Sequence, residues 1–186
     1  MPSRYRLDPD YGRFTVQAFA AGLLSALAHS PTFAVGRYEG VVRFGGDEVR
    51  NLELELTVDA ASLALSDQVG ASDRAEIEGR MRREVLEVSA FPEVRYRASC
   101  RSVEKVEPGR YRVKIAGPLS LHGVEVDHPI DAELLIAQDG VRLRGASSVR
   151  LSEHGIPPVT ALAGAIKLKD ELRVEFDVAG IEEDEP

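Results

Sequence analysis

Arg110-Tyr111-Arg112-Val113-Lys114-Ile115-Ala116-Gly117-Pro118-Leu119-Ser120-Leu121-His122-Gly123-Val124 sets the grammar of the chain. Tyr111, Val113 and Ile115 alternate with Arg112 and Lys114, the period of two that marks a strand with one dry face and one wet face. Gly117-Pro118 interrupts the pattern. Proline has no backbone N–H to donate, so it belongs at an edge, a bulge or a strand start. Leu119 and Leu121 resume the alternation, and His122-Gly123 closes it.

The same pattern recurs on both sides. Upstream, Val94, Tyr96, Ala98 and Cys100 alternate with Glu93, Arg95, Arg97 and Arg101, and Glu107-Pro108-Gly109 supplies a turn. Leu52, Leu54, Leu56 and Val58 form the cleanest strand. Thr32 to Phe44 carries Phe33, Val35, Tyr38, Val41 and Val42, with Gly36 and Gly40 marking bends. Downstream, Val126 to Ile136 contains Ile130, Leu134 and Ile136. Asp139-Gly140 is a type I′ hairpin signal leading to Val141 and Leu143. Leu172, Val174, Phe176 and Val178 form the last strand. At the start, Tyr5-Arg6-Leu7 is extended, Asp8-Pro9-Asp10 reads as a turn, and Arg13 to Val16 is a further short extended piece. Ser152 to Gly164, with Pro157-Pro158, reads as a loop. The acidic tail from about residue 181 reads as solvated.

Only one segment changes period. Ile77, Met81 and Val85 fall on one helical face over about residues 72–89, with Glu76, Arg80, Arg83, Glu84 and Glu87 opposite. Asp73-Arg74-Ala75-Glu76 reads as a capping box with Asp73 as the N-cap, and Phe91-Pro92 ends the helix. The charges on this helix read as a solvated face.

About eight alternating segments without a linker or repeat predict one domain over residues 1–186. It is mainly β with one inserted helix, either a sandwich or a closed antiparallel barrel, and a barrel of lipocalin size can enclose one ligand. A chain of 186 residues with 44% hydrophobic and 29% charged residues can bury a core of that kind. The net charge of −8 disfavours nucleic acid as a partner. The lone Cys100 excludes an internal disulfide and a cysteine-rich metal site, and fits the reducing cytoplasm, where the protein is expected. Ala18 to Ala28 is the one long apolar run, well short of the ~20 residues that cross a bilayer. Ala26-Leu27-Ala28 has the small-x-small form of a signal cleavage site. The preceding Arg4, Arg6, Asp8, Asp10 and Arg13 read as folded sequence, however, so the run is expected to be a buried strand or short helix. No stable membrane insertion is predicted.

Four blocks together carry a resemblance. They are Tyr5-Arg6-Leu7-Asp8-Pro9, Ala90-Phe91-Pro92-Glu93-Val94-Arg95-Tyr96, Gly117-Pro118-Leu119-Ser120-Leu121-His122-Gly123-Val124, and Leu151-Ser152-Glu153-His154-Gly155-Ile156. In order and spacing, from near residue 5 to near residue 180, the chain resembles the YceI-like family. The resemblance implies an antiparallel lipocalin-like barrel whose apolar channel holds a long-chain isoprenoid or fatty ligand, often as a dimer, with no established catalytic residues. Two features depart from the family. Many members are exported, and Ala20 to Pro31 is richer in Ala and Leu than the usual strand.

On this reading the interior residues are the ligand-binding ones: Phe33, Leu54, Leu56, Val94, Tyr96, Val113, Ile115, Leu119, Leu121, Leu134, Ile136, Leu143, Val174 and Phe176. Tyr96 or Tyr111 would supply a polar anchor. From the residues alone, a solid core filled by these side chains is favoured. With the resemblance, a channel for an isoprenoid lipid, quinone or fatty amide is favoured, in a non-enzymatic carrier without cofactor or metal. Two alternatives stand beside it. One is an enzyme acting on a hydrophobic small molecule with His29, His122 and His154 gathered at the barrel mouth. The other is a filled-core structural or stress-associated module. No HExxH spacing, Gly-x-Ser-x-Gly elbow or phosphate loop is present. Cys100, on the dry face of its strand, reads as a small buried hydrophobe. Arg95, Arg97, Arg112 and Lys114 read as a solvated strand face that a homodimer could use.

Overall fold

The computed structural model describes residues 2–21, 30–45, 48–138, 140–161 and 166–183. The alternating segments become strands β1 (Pro2–Gln17), β2 (Ala20–Ala21), β3 (Thr32–Val35), β4 (Tyr38–Gly45), β5 (Glu48–Asp59), β6 (Leu63–Leu65), β7 (Glu93–Glu107), β8 (Arg110–Leu121), β9 (Val124–Ala137), β10 (Gly140–Arg150), β11 (Thr160–Ala161), β12 (Ile166–Leu168) and β13 (Glu171–Glu183). Antiparallel neighbours run β1-β4-β5-β7-β8-β9-β10-β13, and β13 pairs back onto β1. The sheet is therefore an eight-stranded closed barrel. Closure removes the exposed edges that a sheet this long would otherwise present.

β8 carries the organising stretch and shows why its odd residues are needed. A Cβ on Gly117 would lie 2.1 Å from Arg97 O, so only glycine lets β7 approach this closely. The β7–β8 ladder has no pair between Tyr96↔Leu119 and Ser99↔Ala116. Pro118, which cannot donate, sits in that interval. Leu121 pairs with Val124, and His122 (φ 52°) and Gly123 (φ 75°) between them form a two-residue turn with both φ angles positive, the type I′ geometry.

The Asp8-Pro9-Asp10 segment is a bulge rather than a turn. β1 runs through it, and its register on β13 shifts between Asp8↔Ala179 and Gly12↔Val178. Asp8 Oδ1 accepts from Asp10 N at 2.9 Å, which folds the extra residues outward without ending the strand. At this bulge β1 changes its other neighbour, from β4 along Pro2–Arg6 to β3 along Thr15–Gln17. β3 and β4 are one strand bent at Gly36-Arg37, and β5 and β6 are one strand bent at the 3-10 turn Ala60–Ser62. The bends are joined: Gly36 N donates to Ser62 O, Asp59 N donates to Arg37 O, and Arg37 pairs with Asp59 at 2.6 Å.

Helix α1 (Ala71–Arg80) continues as a π-helical turn, Met81–Val85. It starts two residues ahead of the predicted cap. Gly70 is the N-cap, and Asp73 lies inside the first turn, where its charge favours the helix N-terminus. Ile77, Met81 and Val85 pack on the core as expected. Several of its polar groups are not simply solvated. Glu78 Oε1 accepts from Leu65 N at 2.9 Å, Arg74 Nη1 donates to Leu65 O, and Arg82 Nη2 donates to Leu63 O at 3.0 Å. The helix thus pairs the free edge of β6 with side chains. That is a physical reason for charges on this face that periodicity cannot supply.

The tail also differs from expectation up to Glu183. Ile181–Glu183 belongs to β13 and pairs with Arg4–Arg6, and both Arg4 and Arg6 lie beside Glu183 at 3.4 and 3.2 Å. The predicted loop after Ser152 holds a 3-10 turn, Leu151–His154, and the short strand β11. β11, β12 and β2 form a small second sheet. The Ala18 to Ala28 run therefore yields a short strand at Ala20–Ala21, and the rest of it from Gly22 lies outside the described residues. So does Asp139 from the predicted Asp139-Gly140 turn, although β9 and β10 pair from Ala137↔Gly140 as that hairpin requires.

Candidate functional site

The interior of the barrel is filled at one end and hollow at the other. Near the β9–β10 and β7–β8 turns, Val42, Leu52, Val113 and Leu134 are no more than 2% exposed and close-packed. Toward the opposite end, under α1, lies a cavity of about 950 Å³. That is at the upper end of the ~300–1,000 Å³ usual for small-molecule sites.

Eleven of the fourteen residues assigned to the interior line this cavity. Phe33 comes from β3, Leu54 and Leu56 from β5, and Val94 and Tyr96 from β7. Ile115, Leu119 and Leu121 come from β8, Leu143 from β10, and Val174 and Phe176 from β13. Val113, Leu134 and Ile136 are not in the lining. Val113 and Leu134 belong to the filled end, and Ile136 is partly buried against it. Tyr111 is also outside the lining, with the Lys105 ammonium over its ring.

Some lining residues were not assigned to the interior from sequence. Ile77, Met81 and Val85 cover the hollow end from the helix. Asp73, Glu76 and Arg80, read from sequence as parts of the cap and of a solvated face, reach its rim. Arg80 is held there by Glu84 Oε2 at 3.2 Å and Thr160 O at 2.7 Å. His128 and Ser147 line the barrel wall. The signal for both was in the alternation. His128 shares parity with Val126, Ile130 and Leu134, and Ser147 shares parity with Leu143 and Val149, so both are polar residues on dry positions.

Of the three histidines expected at the mouth, the two described ones, His122 and His154, are not in the cavity lining. His29 lies outside the described residues. His122 Nε2 is 2.6 Å from Glu87 Oε2 and its ring packs on Phe91, outside the lining. His154 is 2% exposed, and its Nδ1 lies 3.1 Å from Val124 O. A carbonyl only accepts, so Nδ1 carries the proton. His128 Nε2 lies 2.5 Å from Ser147 Oγ, and Tyr96 Oη donates to His128 O at 2.7 Å. Burial lowers the His128 pKa, the nearby His154 adds to this, and Glu153 and Asp127 oppose it. Burial likewise raises the Tyr96 pKa, so its phenol stays protonated. Cys100 is half-buried with its thiol pKa raised by burial, the opposite of an activated thiol. Among the described residues, no group of three or more His, Cys, Asp or Glu could hold a metal ion.

Outside the barrel, cross-strand pairs such as Arg112–Glu104 and Lys114–Asp131 sit at 3.5 and 3.6 Å on an exposed face. Pairs of this kind contribute little individually. Among the described residues no helix is long and apolar enough to cross a membrane.

Fold and cavity together define a class, the lipocalin-like antiparallel barrel with an apolar internal chamber. Within that class the chain belongs to the YceI-like family, whose model, the YceI-like domain, matches residues 5–180. Its fold is similar to that of Burkholderia cenocepacia BcnA (TM-score 0.70, 12% identity, 93% of this chain and 98% of that one). It is also similar to a polyisoprenoid binding domain from Saccharophagus degradans implicated in plant cell wall breakdown (TM-score 0.70, 13% identity, 96% and 98%). A third likeness is to the Campylobacter jejuni YCEI protein (TM-score 0.57, 16% identity, 80% and 82%). No curated protein matches the chain. Membership of this family supports a lipid-binding role.

Proposed function

We propose that this protein is a non-enzymatic carrier that holds one long-chain apolar molecule, an isoprenoid lipid, quinone or fatty amide, in the hollow half of its barrel. The observation that carries the reading is the cavity of about 950 Å³ with its largely apolar wall. Water would find few hydrogen-bond partners there. A hydrocarbon chain would bury its surface at roughly 25 cal/mol per Å² against Leu54, Leu56, Ile115, Val174 and Phe176. The description of the Saccharophagus domain as polyisoprenoid-binding agrees with this ligand class. The resemblance to a family without established catalytic residues supports binding without chemistry. Cytoplasmic location, a single-domain organisation and a homodimer belong to the same proposal.

The test is mass spectrometry of an organic extract of freshly purified, folded protein. A single long-chain species near one-to-one stoichiometry is expected. Ile115→Asp, which places a charge in the cavity wall, should lose that species. Retention of the lipid by a folded Ile115→Asp variant would overturn the assignment of the cavity.

A further inference from the structure

The eight barrel strands contribute only three polar residues to the described cavity lining, Tyr96, His128 and Ser147. They form one cluster. Tyr96 Oη is bound to His128 O, the Tyr96 and His128 rings meet edge to face at 6.1 Å, and His128 Nε2 meets Ser147 Oγ. Polar groups on an otherwise dry wall are costly unless bonded. Their concentration at one place therefore needs a reason.

Part of the reason is structural. The β9–β10 ladder runs from Ala137↔Gly140 to Ala132↔Gly145 and stops. Beyond it, β9 pairs only with β8 and β10 only with β13. His128 and Ser147 bridge the interval from the cavity side, and His154 bridges it at Val124. One bond does not exhaust the pair. A hydroxyl has one donor and two lone pairs, and a neutral imidazole has one donor and one acceptor. Whichever partner donates in the His128–Ser147 bond, Ser147 Oγ keeps an unspent lone pair beside the cavity.

The second observation is charge. The ionic lining residues among those described are Asp73, Glu76 and Arg80, two carboxylates against one guanidinium, all on the helix at the rim. Arg80 is already committed to Glu84 and Thr160 O. Residues 22–29 and 162–165 contain no Lys or Arg. Among the described residues no cation therefore stands in the barrel wall to neutralise a phosphate, and an unpaired anion is strongly disfavoured in such a site.

We infer that His128 and Ser147 form a head-group subsite, which selects long-chain molecules ending in one small uncharged hydrogen-bonding function, a hydroxyl, carbonyl or amide, and refuses the phosphorylated form of the same chain. The inference rests on the carrier reading above and narrows its ligand class. The neutral state of the buried His128 ring agrees with it, because an imidazolium would attract an anion.

The experiment compares three probes with one C18 chain: oleyl alcohol, cis-9-octadecene and oleyl phosphate. Binding to delipidated protein is measured by displacement of a fluorescent fatty probe. Wild type should bind the alcohol roughly five- to tenfold more tightly than the alkene, the worth of about one hydrogen bond. Oleyl phosphate should bind more weakly than the alcohol. Ser147→Ala and His128→Phe, each checked for a native thermal melt, should abolish the alcohol-over-alkene preference while still binding the alkene. Should His128→Phe fail to fold, Ser147→Ala alone decides. An unchanged preference in folded Ser147→Ala overturns the subsite, as does phosphate binding equal to alcohol binding. Failure of all three probes to bind wild type overturns the carrier reading itself, and the subsite falls with it.

Discussion

Truncating a leucine should have very different consequences at the two ends of this barrel. Leu134 is 0% exposed in the filled end, and Leu56 lines the cavity. Leu134→Ala removes three carbons from close packing and opens a new void, so both the transfer and cavity terms apply. The expected loss is about 3–4 kcal/mol. Leu56→Ala removes the same atoms from a wall that already faces open space. No new void forms around it, and only part of the transfer term is lost, about 1–1.5 kcal/mol. Urea unfolding monitored by circular dichroism distinguishes the two. With a slope near ~2 kcal/mol per molar, the midpoint should fall by roughly 1.5–2 M for Leu134→Ala and by roughly 0.5–0.75 M for Leu56→Ala. The comparison is made on delipidated protein, because a bound ligand adds stability of its own. Equal shifts, or a larger one at Leu56, would refute the division of the barrel into a packed half and a hollow half.

Two further outcomes follow from the same structure. The His128 pKa is lower in the fold than its ordinary value of 6.5, so the unfolded chain takes up this proton first as pH falls. Stability is then undiminished above about pH 6.5 and declines from there down to the lowered folded value; His128→Phe should flatten that stretch of a stability–pH curve, and an unchanged slope would contradict a buried neutral ring. Glu78→Ala should free the Leu65 N–H on the β6 edge and unpair Arg74 and Arg82, costing about 1–2 kcal/mol, with faster hydrogen exchange at Leu65; unchanged protection there would remove the helix from its role as edge cover.

The amino-acid order by itself determined the long strands, the one predicted helix and the dry face of each. Period two and period 3.6 are local properties that side-chain direction imposes on any chain, so Leu54, Tyr96, Ile115 and Phe176 could be assigned to the interior without coordinates. Where local and long-range demands compete, the local signal misleads. Asp8-Pro9-Asp10 has turn chemistry but becomes a bulge, because β13 continues past it on one side while β4 gives way to β3 on the other. Ile181–Glu183 is acidic and looks solvated, but its backbone pairs with Arg4–Arg6 and closes the barrel seam. Only the tertiary structure decided how deep the packed core extends. Val113 and Ile115 are two residues apart with the same parity, yet one lies in the filled end and the other lines the cavity. It also decided that His128 and Ser147, on separate strands, meet where the β9–β10 ladder ends. Parity specifies that a side chain points inward. Whether it meets another side chain or open space depends on how all eight strands tilt and close, and that is a property of the whole barrel.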